Sequence, residues 1–386
     1  MLASAYIVQP ISQDKELEPL LQAIESAAEI YMDTEADSLH HYFEKICLLQ
    51  FALSKDHHFL VDPLADLHLK PLFEVLSKKL LILHGADYDL RMLYANFRFV
   101  PAMIFDTMLA ARLVGHSALG LEALVERYEG KHLDHGAQKA DWSQRPLPPR
   151  LLKYAVEDTA YLPLITQNLR KELATLGRGE WHQQQCRQLI ESCSTAPTKD
   201  LTEAWRIKGS SNLDRQSLAI LRELWQWRDQ EARTCDRPPF MVCHNEKLLQ
   251  LTTWACEHPH GNIQHDPVLP KRWNPRRVQN LWAALQRVWA LPESEWPLPL
   301  QRGKRPPYQP EFTLRLNRLR IARDQVAKNL HLEPSILAPN AILEMIASRI
   351  PKTLDDFKNM DRWLPWQTEL LGPSFLQAMN HEPILC

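Results

Sequence analysis

The sequence predicts a chain of two characters: a mixed β-sheet flanked by helices in front, and a nearly all-helical back half that carries one small module twice. Three observations predict this. Strand-like and helix-like periods alternate over the first 115 residues. Ten of the twelve tryptophans lie beyond residue 200, where strand-like alternation ceases. A set of identical residues in that back half recurs at a constant offset of 95.

Taken in order, Lys15–Ser26 has the spacing of a helix and Glu29–Glu35 that of a strand. Ile46–Leu53 (ICLLQFAL) and His57–Asp62 (HHFLVD) read as two further strands, close enough in sequence for an antiparallel meander. Leu67–Ser77 reads as a helix, Leu80–Gly85 as a short buried strand, and Asp87–Phe97 as the helix after it. Meander followed by strand–helix alternation implies a mixed sheet. Residues 104–176 read as mainly helical. Pro146, Pro148 and Pro149 break the chain before one long helix, whose apolar stripe runs through Leu151, Ala155, Leu162, Ile165, Leu169, Leu173 and Leu176.

In the back half, RDQEAR (Arg228–Arg233) returns as RDQVAK (Arg323–Lys328). At the same offset Leu221 matches Leu316, Leu224 matches Leu319, Pro239 matches Pro334, Asn245 matches Asn340 and Leu248 matches Leu343. A shared, gap-free offset marks two copies of one helical module. A Pro-rich basic stretch, WPLPLQRGKRPPYQP, separates them as a stiff linker. The expected domains are 1–205, 206–296, a linker at 297–310, and 311–386.

Composition excludes several classes. No apolar run reaches the roughly 18 residues of a membrane span, and the first residues lack the basic region of a signal peptide. The seven cysteines are odd in number and never in CxxC spacing, which suits reduced thiols in a cytoplasmic protein. Cys256, His258 and His260 form a small cluster, but no second ligand pair at a zinc-site spacing accompanies it. Charge is uneven: residues 1–200 hold 20 Lys+Arg against 27 Asp+Glu, residues 201–386 hold 25 against 20. An acidic front suits metal chemistry, and a basic back suits a polyanion.

Three places in the front half concentrate carboxylates. YMDTEAD (Tyr31–Asp37) sets Asp33 and Glu35 two apart at a strand end, on one face, where they repel each other unless a cation intervenes. HGADYDL (His84–Leu90) sets Asp89 at the opening of a helix behind a buried strand. YAVEDTAYL (Tyr154–Leu162) sets Tyr154 and Asp158 one turn apart on a helix, with Asp158 on the inward stripe. Each alone has an ordinary reading: a solvated strand end, a helix-dipole partner, a surface pair. Asp106 is a rival third carboxylate that reads as a helix-start residue, while Asp87 and Glu157 are neighbours of the candidates; Glu157 is turned about 100° from Asp158.

DxE on a strand, an aspartate after a later strand and YxxxD on a downstream helix, in this order, resemble the three exonuclease motifs of the DEDD superfamily, the tyrosine marking its DEDDy branch. DTEAD, CLLQFA, FDTMLAARL, KADWSQRPL and LLKYAVEDTAYL resemble the ribonuclease D family in particular, and the repeated module resembles the HRDC domain, present twice. The resemblance covers nearly the whole chain. It implies a ribonuclease H-like exonuclease domain followed by two all-α HRDC modules. It also implies a site in which Asp33, Glu35, Asp89 and Asp158 hold two divalent ions, Mg²⁺ or Mn²⁺. Asp33 would bridge both ions, Glu35 and Asp158 would complete the site of the attacking water, and Asp89 would serve the second ion. Tyr154 would orient that water. Ala36 stands where the family often has a bulky apolar residue, so no wedge between terminal bases is expected there.

The implied reaction is 3′→5′ exoribonuclease cleavage releasing nucleoside 5′-monophosphates, acting on the 3′ ends of structured RNAs such as tRNA precursors, by a monomer. Two rivals stand beside it: a 3′→5′ DNA exonuclease, since HRDC modules also occur in DNA helicases, and a non-catalytic RNA-binding adaptor, against which the complete carboxylate set argues. Phosphate contacts are expected from Lys271, Arg272, Arg276 and Arg277 and, in the linker, Arg302, Lys304 and Arg305; a solvated charge run is the alternative. The tryptophans suit either base stacking or burial in small helical cores.

Overall fold

The computed structural model describes residues 8–133, 136–195, 202–300 and 309–380; the linker residues Arg302, Lys304 and Arg305 fall outside them. Two compact units divide the chain: one holds residues up to 36, 46–196 and 308 onward, the other 37–45 and 197–307.

In the first unit, α1 (Leu17–Ser26) leads into β1 (Glu29–Ala36), β2 (Ile46–Ser54) and β3 (His57–Val61). Then follow α2 (Lys70–Leu76), β4 (Leu80–Leu83), α3 (Asp87–Phe97) and β5 (Met103–Asp106). Among the described residues the strands form one sheet in the order β3-β2-β1-β4-β5. The β1–β2 and β2–β3 pairs are antiparallel, and β4 runs parallel to β1 and β5. This is the mixed sheet that a meander followed by crossovers requires. β5 falls inside the stretch read as helical. Its four residues are too few for a strand period to register, and they abut a helix directly.

Helices α4 (Thr107–Val114), α5 (Leu121–Glu129), α6 (Pro149–Ala160), α7 (Leu162–Thr175) and α8 (Gly179–Cys193) follow. The stripe read as one long helix is two, because Pro163 occupies the first turn of α7 and has no N–H to carry the ladder on from α6. One face of the sheet, through Ile30 and Met32, packs on α1–α3; the other, through Tyr31 and Ile82, packs on α4, α5 and α7. Helix α6 covers Cys47, Leu48 and Leu60 on that second face.

The second unit contains α9 (Arg215–Thr234), α10 (Pro239–Val242), α11 (Asn245–Glu257) and α12 (Pro275–Trp289). Its core holds Trp205, Trp227, Trp254 and Trp273, so these tryptophans are buried. The loop 37–45 belongs to it: the Tyr42 hydroxyl donates to Asp229 at 2.9 Å and the Tyr42 amide to Asp236 at 3.0 Å.

The remaining helices are α13 (Pro310–Leu330), α14 (Pro334–Leu337), α15 (Asn340–Arg349), α16 (Asp355–Lys358) and α17 (Pro365–Asn380). The offset of 95 has a physical core. Buried Arg228 donates to Cys243 O at 3.1 Å and Asn245 Oδ1 at 2.7 Å; buried Arg323 donates to Ala338 O at 2.9 Å and Asn340 Oδ1 at 3.2 Å. Each arginine thus ties the long first helix of its module to the turn before the third, and the Arg and Asn must recur together.

This last module shares its compact unit with the front domain. Trp181 of α8 stacks on Trp366 of α17, with ring centroids 4.6 Å apart and planes at 18°. Buried Arg178 donates to Leu113 O at 2.6 Å and Leu330 O at 2.9 Å, joining α4 to the end of α13. Gly115, at φ +92°, leaves room for this approach: a Cβ there would lie 3.0 Å from His331 O.

Candidate active site

The register explains where the carboxylates go. On β1, Asp33 and Glu35 share the face of Tyr31, opposite Gln50 and Leu48 of β2. The ladder then passes from Glu35↔Leu48 to Ala36↔Ile46, skipping Cys47. At that bulge Arg145 donates to the Cys47 carbonyl at 2.7 Å. Arg145 also grips both oxygens of Asp62, at 2.5 and 2.6 Å, and the Trp142 carbonyl at 2.8 Å. The segment before α6 is thereby pinned to the sheet beside Glu35, and α6 is delivered onto the carboxylate face. Its Pro149 opens the helix at the first turn, where a missing N–H costs nothing.

On α6, Tyr154 and Asp158 face the strand. Asp33, Glu35 and Asp158 each offer an oxygen within 4.8 Å of the others, and the Asp158 charge bears directly on the Tyr154 phenol. Asp89 lies outside that tight group. It is buried in the first turn of α3 and accepts from the Thr34 hydroxyl at 2.5 Å. The sequence-selected five are therefore brought together as three clustered carboxylates, a phenol one helical turn from one of them, and a fourth carboxylate alongside.

Electrostatics record the crowding. Burial first, then the charges of Asp89, Asp158 and Glu35, hold the Asp33 carboxyl well above the usual carboxylate range. Burial and the charges of Asp158 and Asp89 push Glu35 up to about 9. Burial raises Asp89 to about 6 against the pull of the Thr34 hydroxyl. Burial and the Asp158 and Glu35 charges drive the Tyr154 phenol far above its ordinary range. The charges that raise Asp33 and Glu35 are those of neighbouring carboxylates. A crowded, all-oxygen set of this kind fits a hard divalent cation.

The rival carboxylates are accounted for elsewhere. Asp106 caps α4, accepting from the amides of Met108 and Leu109 at 2.8 and 3.1 Å, and also from Gly85 and Ala86. Asp87 takes Arg91 through two bonds of 2.9 Å, and Glu157 lies 3.7 Å from Lys153. His258 stacks on Trp254 and Cys256 contacts Ser217, while among the described residues the metal-ligand grouping that emerges is Asp33, Glu35 and Asp158. Lys271, Arg272 and Arg276 are exposed; Arg277 is partly buried and lies 3.4 Å from Glu231.

Sequence reading passed over Gln50, Thr34 and Arg145. With its amide turned to donate, Gln50 gives bonds to Asp33 Oδ2 at 2.8 Å and Asp33 O at 3.2 Å, and it lowers Glu35 as well. A glutamine in the apolar run ICLLQFAL was the available signal: a buried amide needs partners.

Comparison with known proteins places this geometry. The 3′–5′ exonuclease family matches residues 8–174, and the HRDC domain family matches residues 217–253 and 313–379. The exonuclease family depends on divalent metal. The chain is 30% identical to ribonuclease D of Xanthomonas oryzae pv. oryzae over 71% of this chain and 76% of that protein. It is 28% identical to ribonuclease D of Bartonella henselae over 96% and 89%. Its fold matches the crystal structure of Escherichia coli RNase D, described as an exoribonuclease involved in structured RNA processing. The TM-score is 0.67 and identity 23%, over 96% of this chain and 98% of that one. The chain belongs to the ribonuclease D family and is a 3′–5′ exoribonuclease.

Proposed function

We propose that this protein trims the 3′ ends of structured RNAs, tRNA precursors among them, releasing nucleoside 5′-monophosphates, with Asp33, Glu35, Asp89 and Asp158 holding two divalent cations, Mg²⁺ or Mn²⁺. The observation that carries this is the convergence of three carboxylate oxygens within 4.8 Å, beside a Tyr154 phenol on which the Asp158 charge acts. Such an ion pair, when bound, supplies an activated water, charge relief at phosphorus and help for the leaving 3′ oxygen.

The chain's own residues do the rest. Asp33, central among the charges, is the group best placed to be shared. Gln50 holds its carboxylate from the neighbouring strand. In the metal-free site, burial and the surrounding carboxylate charges hold the Tyr154 phenol far above its ordinary range. Its role in this reading is to position the attacking water through its hydroxyl. Lys271, Arg272 and Arg276 lie exposed on the second unit and supply phosphate contacts that carry no sequence information.

The test is incubation of RNA and DNA oligonucleotides, labelled at the 3′ or the 5′ end, with Mg²⁺, Mn²⁺ or EDTA. Expected are immediate loss of the 3′ label as mononucleotide, stepwise shortening of the 5′-labelled RNA, and arrest by EDTA. Equal rates on single-stranded DNA would overturn the substrate class. Cleavage that persists in EDTA would overturn the metal assignment.

A further inference from the structure

We infer that Thr34, the residue between the two strand carboxylates, is a positioning residue for Asp89 and acts through it on one cation of the pair. This rests on Asp89 being a ligand, as proposed above. Successive side chains on a strand alternate faces, so Thr34 points away from Asp33 and Glu35, towards the side covered by α1–α3. Asp89 comes from that same side. Three carboxylates thus approach from one face of β1, and the fourth comes from the other.

The sheet leaves an opening for it. The β1–β4 ladder pairs Glu29–Tyr31 with Leu80–Ile82 and goes no further. Among the described residues β1 has no strand partner on that side at the level of Asp33–Glu35, and Asp89, from the first turn of α3, reaches Thr34 there. The Asp89 charge raises both Asp33 and Glu35.

A carboxylate entering so crowded a place needs one oxygen fixed if the other is to face a cation. Thr34 Oγ1 donates to Asp89 Oδ1 at 2.5 Å, and the two residues are only 7% and 6% exposed, so water does not compete for the bond. The other oxygen, Oδ2, is the one this inference assigns to the cation. Outer hydrogen bonds of this kind orient metal ligands and tune their affinity.

The test uses the full chain and Mn²⁺ alone as probe, with binding followed by calorimetry and by electron paramagnetic resonance of free Mn²⁺. Thr34→Val keeps the shape and removes the hydroxyl; it should weaken one of the two binding steps by roughly tenfold or more, the loss of one charge-assisted hydrogen bond. With a 3′-labelled oligoribonucleotide it should lower kcat and leave KM nearly unchanged. Thr34→Ser restores the hydroxyl and should restore both readouts. Circular dichroism checks each fold, and Thr34→Ala serves should the valine variant fail to fold.

Asp89→Asn separates the two readings. If it loses one binding step while the folded, hydroxyl-free Thr34 variant binds both ions as the wild type does, Thr34 positions nothing. If Asp89→Asn itself binds both ions normally, the ligand assignment of Asp89 falls, and the role of Thr34 falls with it.

Discussion

Glu35→Gln offers a measurement of what the carboxylate cluster costs the fold. The glutamine keeps the size of the side chain and its capacity to meet Gln50, and removes the charge. In the folded, metal-free protein Glu35 titrates near 9, against about 4.5 for an ordinary glutamate. Between those values the folded chain holds a proton that the unfolded chain has released. Stability must therefore fall as pH rises through that window, and the loss is complete only above the upper value. Fully expressed, the difference corresponds to roughly 6 kcal/mol. Glu35 keeps part of its surface in water, which screens the repulsion, so we expect about 2 kcal/mol at pH 8. For a unit of this size that is a rise in Tm of roughly 4–8 °C on substitution. The assay is thermal melting in EDTA from pH 5 to pH 9. At pH 5 wild type and variant should melt nearly together. At pH 8 the variant should melt higher, and added Mg²⁺ should raise the wild type more than the variant. A wild type that gains stability with rising pH in EDTA, or a variant that melts lower at pH 8, would refute the reasoning.

Tyr154→Phe should reduce kcat by about 10- to 100-fold and leave Mn²⁺ binding unchanged; lost metal binding with intact turnover would make the phenol a ligand. Arg228→Leu and Arg323→Leu should each cost roughly 2–3 kcal/mol through orphaned acceptors, read by denaturant melts. Equal stability to wild type would remove these arginines as the repeat's internal ties. A fragment ending near residue 205 keeps the five selected residues but strips the cover from Trp181, so it should melt well below the full chain and bind a hydrophobic dye; an undiminished Tm would separate the last module from the front domain's core. Charge removal at Lys271, Arg272 and Arg276 together should flatten the salt dependence of RNA binding by about two to three in log–log slope, and an unchanged slope would mean that these residues do not touch phosphate.

Much of the site was legible because its logic is local. Asp33 and Glu35 share a face by strand parity, and Tyr154 and Asp158 by helix period, before any tertiary contact is known. The repeat was legible because Arg228 and Arg323 need the same carbonyl and the same asparagine, and so preserve an offset. Thr34 and Gln50 were not, since their work depends on which strand lies beside β1 and where the β4 ladder ends. Strand β5 was lost to its brevity, and the break at Tyr161 to an apolar stripe that continues in phase past Pro163. The association of the last module with the front domain rests on Trp181, Arg178 and Gly115, scattered residues with no shared period, and nothing in their spacing announces it.

The use of both faces of β1 has a consequence for how this protein can change over evolutionary time. Because parity decides which side each carboxylate and Thr34 occupy, inserting or deleting a single residue between Tyr31 and Glu35 would exchange the two sets of side chains. Compensation would require both helical layers to be rebuilt at once. Length variation should therefore be barred from these five positions. The loop at 37–45 begins just after the bulge and is held at Tyr42 by the second unit. A residue added in that loop would leave the facing of Asp33, Thr34 and Glu35 unchanged, since parity is counted along the strand before it.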